Sequence, residues 1–509
     1  MTNGKVYLVG AGPGDVGLIT RRGLECLGRA DVVVYDRLVD NRILEFAPRS
    51  AELIYVGKLP GSHVRQQPEI NQILVDKAKE GKEVVRLKGG DPFVLGRGGE
   101  EAETLHANRI PFEIVPGVSS ATAVPAYAGI PVTHRGVASS FAVITGHEDS
   151  SKELSAVNWE KLATGVDTLV CLMGMRNLSR LVEQLLAHGR APDTPVAVIR
   201  QGTTPRQETL VGTLDTIVEA AKEKGFEPPV VTVVGEVVRL RERLTWFDNR
   251  PLFGKRVLVT RSRSQASAFS SLLAERGADP VELPVIETND VTDPTALDRA
   301  VSGLSGYQWV LFTSANGVQA FWKRLRALNM DARSFRDVRI AAIGPATAMA
   351  LEARGLRADL LPTEHTSEAM AAELATVGIA GDRILLPRSD IAPRDLTDRL
   401  VELGAEPVEV SAYLTQPATS ASSGRDMLLE GKIDIVAFTS ASTVANLLKA
   451  LGNERCALDR AIIACIGPRT AEAAEKAGLT VEVIAPEHTV PGLVKAIELH
   501  LLKHERKDS

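Results

Sequence analysis

The chain contains few cysteines and few aromatic residues, and neither sign of charge dominates. Four of its 509 residues are cysteines and 4% are aromatic. The cysteines form no C-x-x-C pair, so we expect neither a disulfide framework nor a structural zinc site. Little aromatic surface for base stacking and a formal net charge of −5 argue against a nucleic-acid partner. A locally basic cleft for an anionic substrate remains compatible with this charge.

Long apolar runs are lacking as well. No segment approaches the roughly 18 apolar residues that are needed to span a bilayer. No basic stretch followed by an apolar one can be read near "MTNGK". We therefore expect no membrane partner and a cytoplasmic location. The length is more than one hydrophobic core usually serves, which predicts two large domains or three to four smaller ones.

Short β-branched runs that end in glycine turns recur along the first half. They read "KVYLVG", "DVVVYD", "ELIYVG", "EVVRL", "FEIVPG", "FAVITG", "TLVCLMG", "PVAVIRQG" and "VVTVVGEVV". Most precede a stretch of helical periodicity, which predicts an α/β fold with a largely parallel sheet. The segment "DNRPLFG" interrupts this pattern and predicts a domain boundary at about 248–254.

The second half contains an internal repeat. "RVLVTRS" at 256 returns as "RILLPRS" at 383, and "WVLFTSANGVQAFWKRL" is echoed by "DIVAFTSASTVANLLKAL". "RIAAIGPATAMALEARGL" and "LPTEHT" likewise return as "AIIACIGPRTAEAAEKAGL" and "APEHT". Each copy is roughly 125 residues, the size of a small domain. The simplest interpretation is two similar α/β lobes that face one cleft.

The loop "VYLVGAGPGD" is half of a dinucleotide-binding fingerprint. Gly10 and Gly12 are present, and Asp36 follows at about the distance of a ribose ligand. Pro13 removes a donor N–H from a phosphate cradle, and Asp15 would repel a pyrophosphate. From these residues alone, an NAD-linked oxidoreductase and a glycine turn without a ligand both stay open.

A second glycine loop lies in "VVRLKGGDPFVLGRGGEE". With "GAGPGD", "VVYDRLV", "VGK", "VPGVSSATAVPAYAGIPVTHR", "ITGH", "LMGM" and "GTTPRQ", it resembles the uroporphyrinogen III C-methyltransferases of the tetrapyrrole methylase family across about residues 4–248. The resemblance implies two α/β subdomains around a cleft and S-adenosylmethionine as cofactor. It also implies two methyl transfers to uroporphyrinogen III, giving precorrin-2 for sirohaem or cobalamin synthesis, and a homodimer.

The resemblance assigns roles to individual positions. Asp36 matches the proton acceptor and Lys58 the proton donor. The positions that match cofactor contacts are Pro13, Gly89, Gly90, Asp91, Val94, Ser119, Ser120, Met173 and Gly202. Family members often have threonine and alanine where this chain has Ser119 and Ser120. Four basic residues beside these loops, Arg37, Arg97, His134 and Arg135, are candidates to meet the substrate's carboxylates. Each is equally compatible with an ordinary surface charge.

Residues of about 255–500 resemble uroporphyrinogen III synthase through the paired "FTS", "IGP" and "EHT" segments and "SAYLT". The resemblance implies closure of hydroxymethylbilane with inversion of its last pyrrole and no cofactor. Tyr413 matches a tyrosine that helps the terminal hydroxyl to leave, and a packed strand tyrosine is the alternative. Hydroxyl donors to acetate and propionate groups are expected at Thr313, Ser314, Thr439, Ser440 and Thr470. Turn capping is the alternative for these residues.

Together these resemblances predict a bifunctional enzyme that acts on tetrapyrroles. The methyltransferase is expected over 1–248 and a two-lobed synthase over 255–509. A non-catalytic sensor of a small anionic ligand remains the alternative for the second half.

Overall fold

The computed structural model describes residues 4–57, 66–146, 157–260, 263–283, 286–417 and 423–508. The chain divides into two compact units. The first comprises Met1–Arg256, Leu272–Pro280 and Glu498–Ser509, and the second comprises Val257–Ser271 and Val281–Ile497. Two segments from the second half of the sequence therefore belong to the first unit, which no sequence feature indicated. Strands and helices alternate in both units, which confirms the α/β class.

The first sheet of the first unit is parallel throughout. Its strands and helices are β1 Val6–Gly10, α1 Arg21–Leu27, β2 Val32–Tyr35, β3 Glu52–Tyr55, α2 Gln67–Lys79, β4 Val84–Lys88, α3 Gly98–Ala107 and β5 Phe112–Val115. The strand order is β3-β2-β4-β1-β5. Helices cover both faces, so the strands read as continuous apolar runs. All carboxyl ends of these strands lie at one edge.

The second sheet of the first unit is mixed, so the expectation of a largely parallel sheet is wrong here. Its elements are α4 Ser120–Tyr127, β6 Phe141–Thr145, α5 Trp159–Gly165, β7 Thr168–Leu172, α6 Leu178–Ala187, β8 Pro195–Arg200, β9 Glu208–Thr213, α7 Ile217–Glu223, β10 Val230–Val234 and α8 Arg241–Leu244. The order is β6-β7-β10-β8-β9, and only β6 and β7 pair in parallel among these described strands.

The reversal arises in the connection between β8 and β9. Residues 201–207 close an antiparallel pair without a helical crossover. Since α7 returns the chain to the same end of the sheet, β10 runs like β9 and antiparallel to β7 and β8. Each of the apolar runs quoted above contains a strand, whereas β9 was not among the predicted strands.

The second unit contains two more five-stranded sheets. The elements from Arg256 onward, parts of which belong to the first unit, are β11 Arg256–Val259, α9 Arg263–Glu275, β12 Asp279–Glu282, β13 Ile286–Asp290, α10 Thr295–Ser302, β14 Trp309–Phe312, α11 Ala315–Ala327, β15 Arg339–Ala342, α12 Pro345–Glu352, α13 Ser367–Val377, β16 Arg383–Ser389, α14 Asp395–Glu402, β17 Glu406–Pro417, α15 Ser423–Leu429, β18 Ile435–Phe438, α16 Ala441–Leu451, β19 Ile462–Cys465, α17 Pro468–Lys476, β20 Val483–Ile484 and α18 Val490–Asp508. The sheet orders are β12-β11-β18-β19-β20 and β13-β17-β16-β14-β15.

Each of these sheets combines strands from both copies of the sequence repeat. The first copy supplies β11 and β12 to one sheet, but β14 and β15 to the other. The second copy supplies β18 and β19 to the first of these sheets, but β16 and β17 to the other. Two similar lobes are present, but neither lobe is one copy of the repeat. The first half of each copy pairs with the second half of the other copy.

None of the helices in the described part of the chain is both long and apolar enough to cross a membrane.

Candidate active sites

In the first unit, the glycine loops after β1, β4 and β5 meet at the carboxyl edge of the parallel sheet. The N–H of Gly90 donates to the carbonyl of Gly12 at 2.7 Å, and the N–H of Gly12 donates back at 3.3 Å. A Cβ on Gly10 would lie 2.5 Å from the Cα of Gly117, so a side chain at Gly10 does not fit. Glycine is required because three backbones approach each other here. The two glycine loops noted in the sequence therefore form one structure.

Asp91 holds the second loop against the third. Its Oδ1 accepts from the N–H groups of Phe93 at 2.7 Å and Val94 at 3.2 Å. Its Oδ2 accepts from the N–H of Gly117 at 3.0 Å. Each carboxylate oxygen thus already accepts a backbone hydrogen bond, and Asp91 orders the loops that would surround a ligand.

Asp15 connects the first loop to the elements of the second sheet. Its Oδ1 accepts from the N–H of Gly17 at 2.8 Å, and its Oδ2 accepts from the hydroxyl of Tyr127 at 2.8 Å. The backbone N–H of Asp15 donates to Oγ1 of Thr203 at 3.1 Å. Burial, together with the bond to this carboxylate, raises the pKa of Tyr127. The site of the first unit therefore lies between its two sheets.

Strained backbone surrounds this site. Positive φ angles occur at non-glycine residues in the loops after β4, β7 and β8, at Leu95, Arg97, Met173, Gln201 and Thr203. Such conformations are costly and concentrate at binding sites. Met173 is 53% exposed, and Val94 is also exposed. Apolar side chains held open to solvent in strained loops are suited to contact a ligand.

The remaining predicted cofactor contacts lie on the same loops. Ser119 caps α4, where its hydroxyl accepts from the N–H of Ala121 at 3.2 Å, and Ser120 begins that helix. Gly202 is buried, and a Cβ there would lie 2.4 Å from a methyl carbon of Val124. Pro13 is half-buried beside Gly14. These residues stay predicted cofactor contacts.

Asp36 lies at the carboxyl end of β2 and is bound to a buried arginine. Its Oδ2 accepts from Nη2 of Arg86 at 3.1 Å, and its Oδ1 accepts from the N–H of Leu38 at 3.1 Å. Its predicted partner Lys58 lies outside the described residues. The arginine was missed by sequence reasoning. The available signal was "RLK" in β4, which places two cations on one face of a buried strand.

The four predicted substrate-binding basic residues of this unit are all exposed. Arg97 pairs with Glu100 on its own helix at 2.6 Å, and this carboxylate raises the pKa of the guanidinium. The backbone of His134 pairs with that of Ala138, next to the exposed Arg135. Arg37 directly follows Asp36. The structure therefore places Arg37 at the site edge and gives Arg97 a partner of its own.

In the second unit, two predicted site residues contact each other. The hydroxyls of Tyr413 and Ser314 are 3.1 Å apart at the carboxyl edge of their sheet. Ser314 also caps α11, since its Oγ accepts from the N–H of Gly317 at 3.1 Å. Its equivalent in the other lobe, Ser440, caps α16 by accepting from the N–H of Thr443 at 3.3 Å. Capping and a role toward a ligand are therefore compatible for these hydroxyls.

Helix N-termini converge at the same edge in each lobe. In one lobe the caps are Ser314, Gly344 and Thr366, and in the other they are Ser440, Gly467 and Thr489. The parallel strands before these helices end side by side. Unpaired N–H groups and helix dipoles at such an edge favour carboxylates. The predicted Thr313 and Thr439 lie in these turns and are half-buried, whereas Thr470 is buried inside α17.

Two protein-family models match the chain. The model of tetrapyrrole (corrin/porphyrin) methylases matches residues 5–218, and that of uroporphyrinogen-III synthase HemD matches residues 267–495. The porphyrin biosynthesis protein HemD of Ruminiclostridium josui is 40% identical over 504 residues, covering 98% of this chain and 99% of that protein. The S-adenosyl-L-methionine-dependent uroporphyrinogen III methyltransferase of Methanosarcina barkeri is 57% identical over 241 residues, covering 47% of this chain and 94% of that protein.

Among solved structures, a uroporphyrin-III C-methyl transferase from Thermus thermophilus, complexed with S-adenyl homocysteine, is 41% identical. The match covers 47% of this chain and 94% of that one, with a TM-score of 0.41.

Proposed function

The chain belongs to the family of proteins in which a uroporphyrinogen-III C-methyltransferase is fused to a uroporphyrinogen-III synthase, and we propose from this membership that it catalyses both reactions. Residues 255–509 would close hydroxymethylbilane to uroporphyrinogen III. Residues 1–248 would then methylate uroporphyrinogen III twice, giving precorrin-2. The observation that carries the methyltransferase half is the meeting of the three glycine loops beside Asp36.

The residues of the first site fit S-adenosylmethionine. The backbone at Gly90 is open, because the nearest described atom to a Cβ there, the nitrogen of Ser120, would be 3.7 Å away. Val94 and Met173 present exposed apolar surface. When bound, S-adenosylmethionine supplies an electrophilic methyl group. The proposed contacts are those of the first, second and third loops, together with Met173 and Gly202.

The protein's own contribution is to align the reactants and remove a proton. Holding two reactants in register lowers the barrier to a bimolecular transfer. Methyl transfer leaves the macrocycle with a positive charge, so the macrocycle must then lose a proton from another of its atoms, and a carboxylate at the site can accept that proton. We assign this step to Asp36, whose position at the end of β2 leaves it partly accessible to solvent.

In the second unit, we assign carboxylate binding to the helix N-termini and assistance of the leaving hydroxyl to Tyr413. The bond to Ser314 supports this assignment because it fixes the direction of the phenol. Folding the linear substrate so that the correct ring carbon is attacked is the main task, and it requires no cofactor. A two-lobed sensor would need the same anion-binding edge, so only turnover separates the two functions.

The decisive experiment supplies the full chain with hydroxymethylbilane and methyl-labelled S-adenosylmethionine. We expect uroporphyrinogen III with two added methyl groups, identified by mass. If unmethylated type III isomer accumulates, the methyltransferase assignment is wrong. If hydroxymethylbilane closes only to the type I isomer, the second unit is a sensor. A titration that detects NAD binding but no S-adenosylmethionine binding would favour the oxidoreductase instead.

The homodimer remains a prediction from the resemblance, and the cytoplasmic location remains a prediction from the sequence. Light scattering of the purified protein would measure the mass of the assembly, and cell fractionation would give the location.

A further inference from the structure

A chain of buried charges runs beneath the first site and ends at Asp36. Arg86 donates from Nη2 to Asp36 and from Nε to Oε1 of Glu101, each at 3.1 Å. Lys88 donates to the same Oε1 of Glu101 at 2.9 Å, and Gln67 donates to it at 3.1 Å. Glu101 is fully buried and Arg86 is 4% exposed, whereas the Asp36 side chain keeps 26% of its exposure. The solvent-facing end of the chain is therefore Asp36.

The direction of these side chains follows from the strand. Arg86 and Lys88 are two residues apart in β4, so both extend from the face that α2 and α3 cover. Glu101 comes from α3 and Gln67 from α2, which brings an anion and an amide to the same point. The carbonyls of Val34 and Leu87 accept from Nη1 of Arg86 at 3.4 and 3.0 Å. The guanidinium is thus held on every side.

Packing alone does not account for these charges. Removing ions from water is costly, and apolar residues of similar volume often give equal or greater stability. Glu101 leaves its second oxygen, Oε2, buried without a hydrogen-bond partner among the described residues. Burial and the neighbouring Arg86 also lower the pKa of Lys88. The network therefore contains buried charges that are energetically unfavourable, and its exposed end is the proposed proton acceptor, Asp36.

We propose that Arg86 is a positioning residue for Asp36 in methyl transfer, and that Glu101 and Lys88 hold Arg86 in place. The proposal rests on the function assigned to Asp36 above. With Arg86 on Oδ2 and the Leu38 N–H on Oδ1, the carboxylate has one orientation. Each oxygen keeps a lone pair for the incoming proton. The pyrrole carbon forms a bond to the methyl group as the S–CH3 bond breaks, which leaves the macrocycle cationic. A proton then leaves another atom of the macrocycle to Asp36, and the electron pair of the broken bond neutralises the ring.

A double-mutant cycle in the full chain tests this proposal. Asp36→Asn is expected to lower kcat for methyl transfer about 10²-fold, as loss of a general base does. Arg86→Gln misplaces the carboxylate and is expected to lower kcat by about 10-fold to 10²-fold, with an unchanged KM for S-adenosylmethionine. If Arg86 acts through Asp36, the double variant is expected to match Asp36→Asn within about twofold. Arg86→Lys keeps the charge and should recover part of the rate.

Arg190→Gln is the matched control. This arginine lies in the loop between α6 and β8 and donates to the carbonyls of Ala163, Val166 and Asp167, so its loss should lower stability without lowering kcat. Effects of Asp36→Asn and Arg86→Gln that multiply in the double variant would overturn the proposal. An equal loss of kcat in Arg190→Gln would do so too. If Arg86→Gln does not fold, the same cycle with Arg86→Lys decides. A wild-type chain that binds no S-adenosylmethionine would instead refute the proposed function itself.

Discussion

Ser314 and Ser440 occupy equivalent places in the two lobes but have different neighbours. Both cap a helix through the N–H three residues on. Ser314 Oγ also contacts the hydroxyl of Tyr413, whereas Ser440 Oγ is 2.9 Å from Oγ of Ser442. The internal repeat therefore provides a control for separating capping from a role in ring closure.

Ser314→Ala and Ser440→Ala should destabilise the second unit by similar amounts, about 1 kcal/mol each, because each removes an N-cap. Only Ser314→Ala removes the partner of Tyr413, so we expect it alone to change the rate of type III isomer formation at saturating substrate. Denaturant unfolding and product analysis measure the two effects. Equal rates for the two serine variants would show that the Tyr413 contact has no part in closure.

Tyr413→Phe should slow closure only in part, because folding of the substrate contributes most.

Among the secondary-structure elements, the loop between β4 and α3 contains glycines with different requirements. Gly90 has a φ of +70° and pairs through its backbone with Gly12. Gly99 lies in the first turn of α3, and a Cβ added there would have no described atom within 4 Å. The resemblance names Gly90 among the positions that match cofactor contacts, and the structure adds the backbone requirement.

Gly90→Ala should weaken S-adenosylmethionine binding, because the Cβ enters the open side of the loop and the left-handed conformation costs about 1 kcal/mol. Gly90→Leu should abolish binding. Gly99→Ala replaces a helical glycine and should leave binding unchanged while stabilising the helix slightly. Calorimetric titration and thermal unfolding give both quantities. Similar affinities for Gly90→Ala and Gly99→Ala would place the cofactor away from this loop.

At the scale of the whole molecule, exchange of strands between the repeat copies links the two lobes of the second unit. The chain between the copies runs through Gly378 and Gly381, both exposed and both with positive φ. On either side of this turn, α13 and β16 pack into one core with Trp309 and Leu311 of the first copy. A break in the chain at the turn would leave every sheet of this unit composed of strands from both fragments.

We therefore expect the chain to survive a cut between Gly378 and Asp382. After insertion of a protease site there and cleavage, the fragments should stay together in size-exclusion chromatography and separate only in denaturant. Ring closure should persist at a comparable rate. If each lobe were one copy of the repeat, cleavage would leave two lobes without shared strands. Fragments that separate in native buffer would contradict the exchanged arrangement.

The sequence by itself determined the local features of this protein. Strand positions follow from β-branched runs, because burial on both faces requires them. The glycine loops, the helix caps and the repeat also depend on residues that are neighbours in the sequence, so they too could be identified from the sequence. Glycine turns with ordered motifs were sufficient to place Asp36 and Asp91 at the end of the first sheet. The resemblance then supplied the chemistry.

Only the tertiary structure decided which strands pair and which charges meet. Two copies of a repeat specify the same local elements whether each folds on itself or exchanges strands, since propensity does not depend on the pairing partner. The antiparallel pairing of β9 with β8, and of β10 with β7 and β8, depends on the seven-residue loop between β8 and β9. The sequence of this loop is compatible with other paths of the chain. Arg86, Glu101 and Asp36 are distant in sequence and meet only in the folded chain. Because the interior beneath the loops has a low dielectric constant, the interactions between these charges are strong. Arg86 and Asp36 are 50 positions apart in the sequence, so only tertiary packing brings these two charges together.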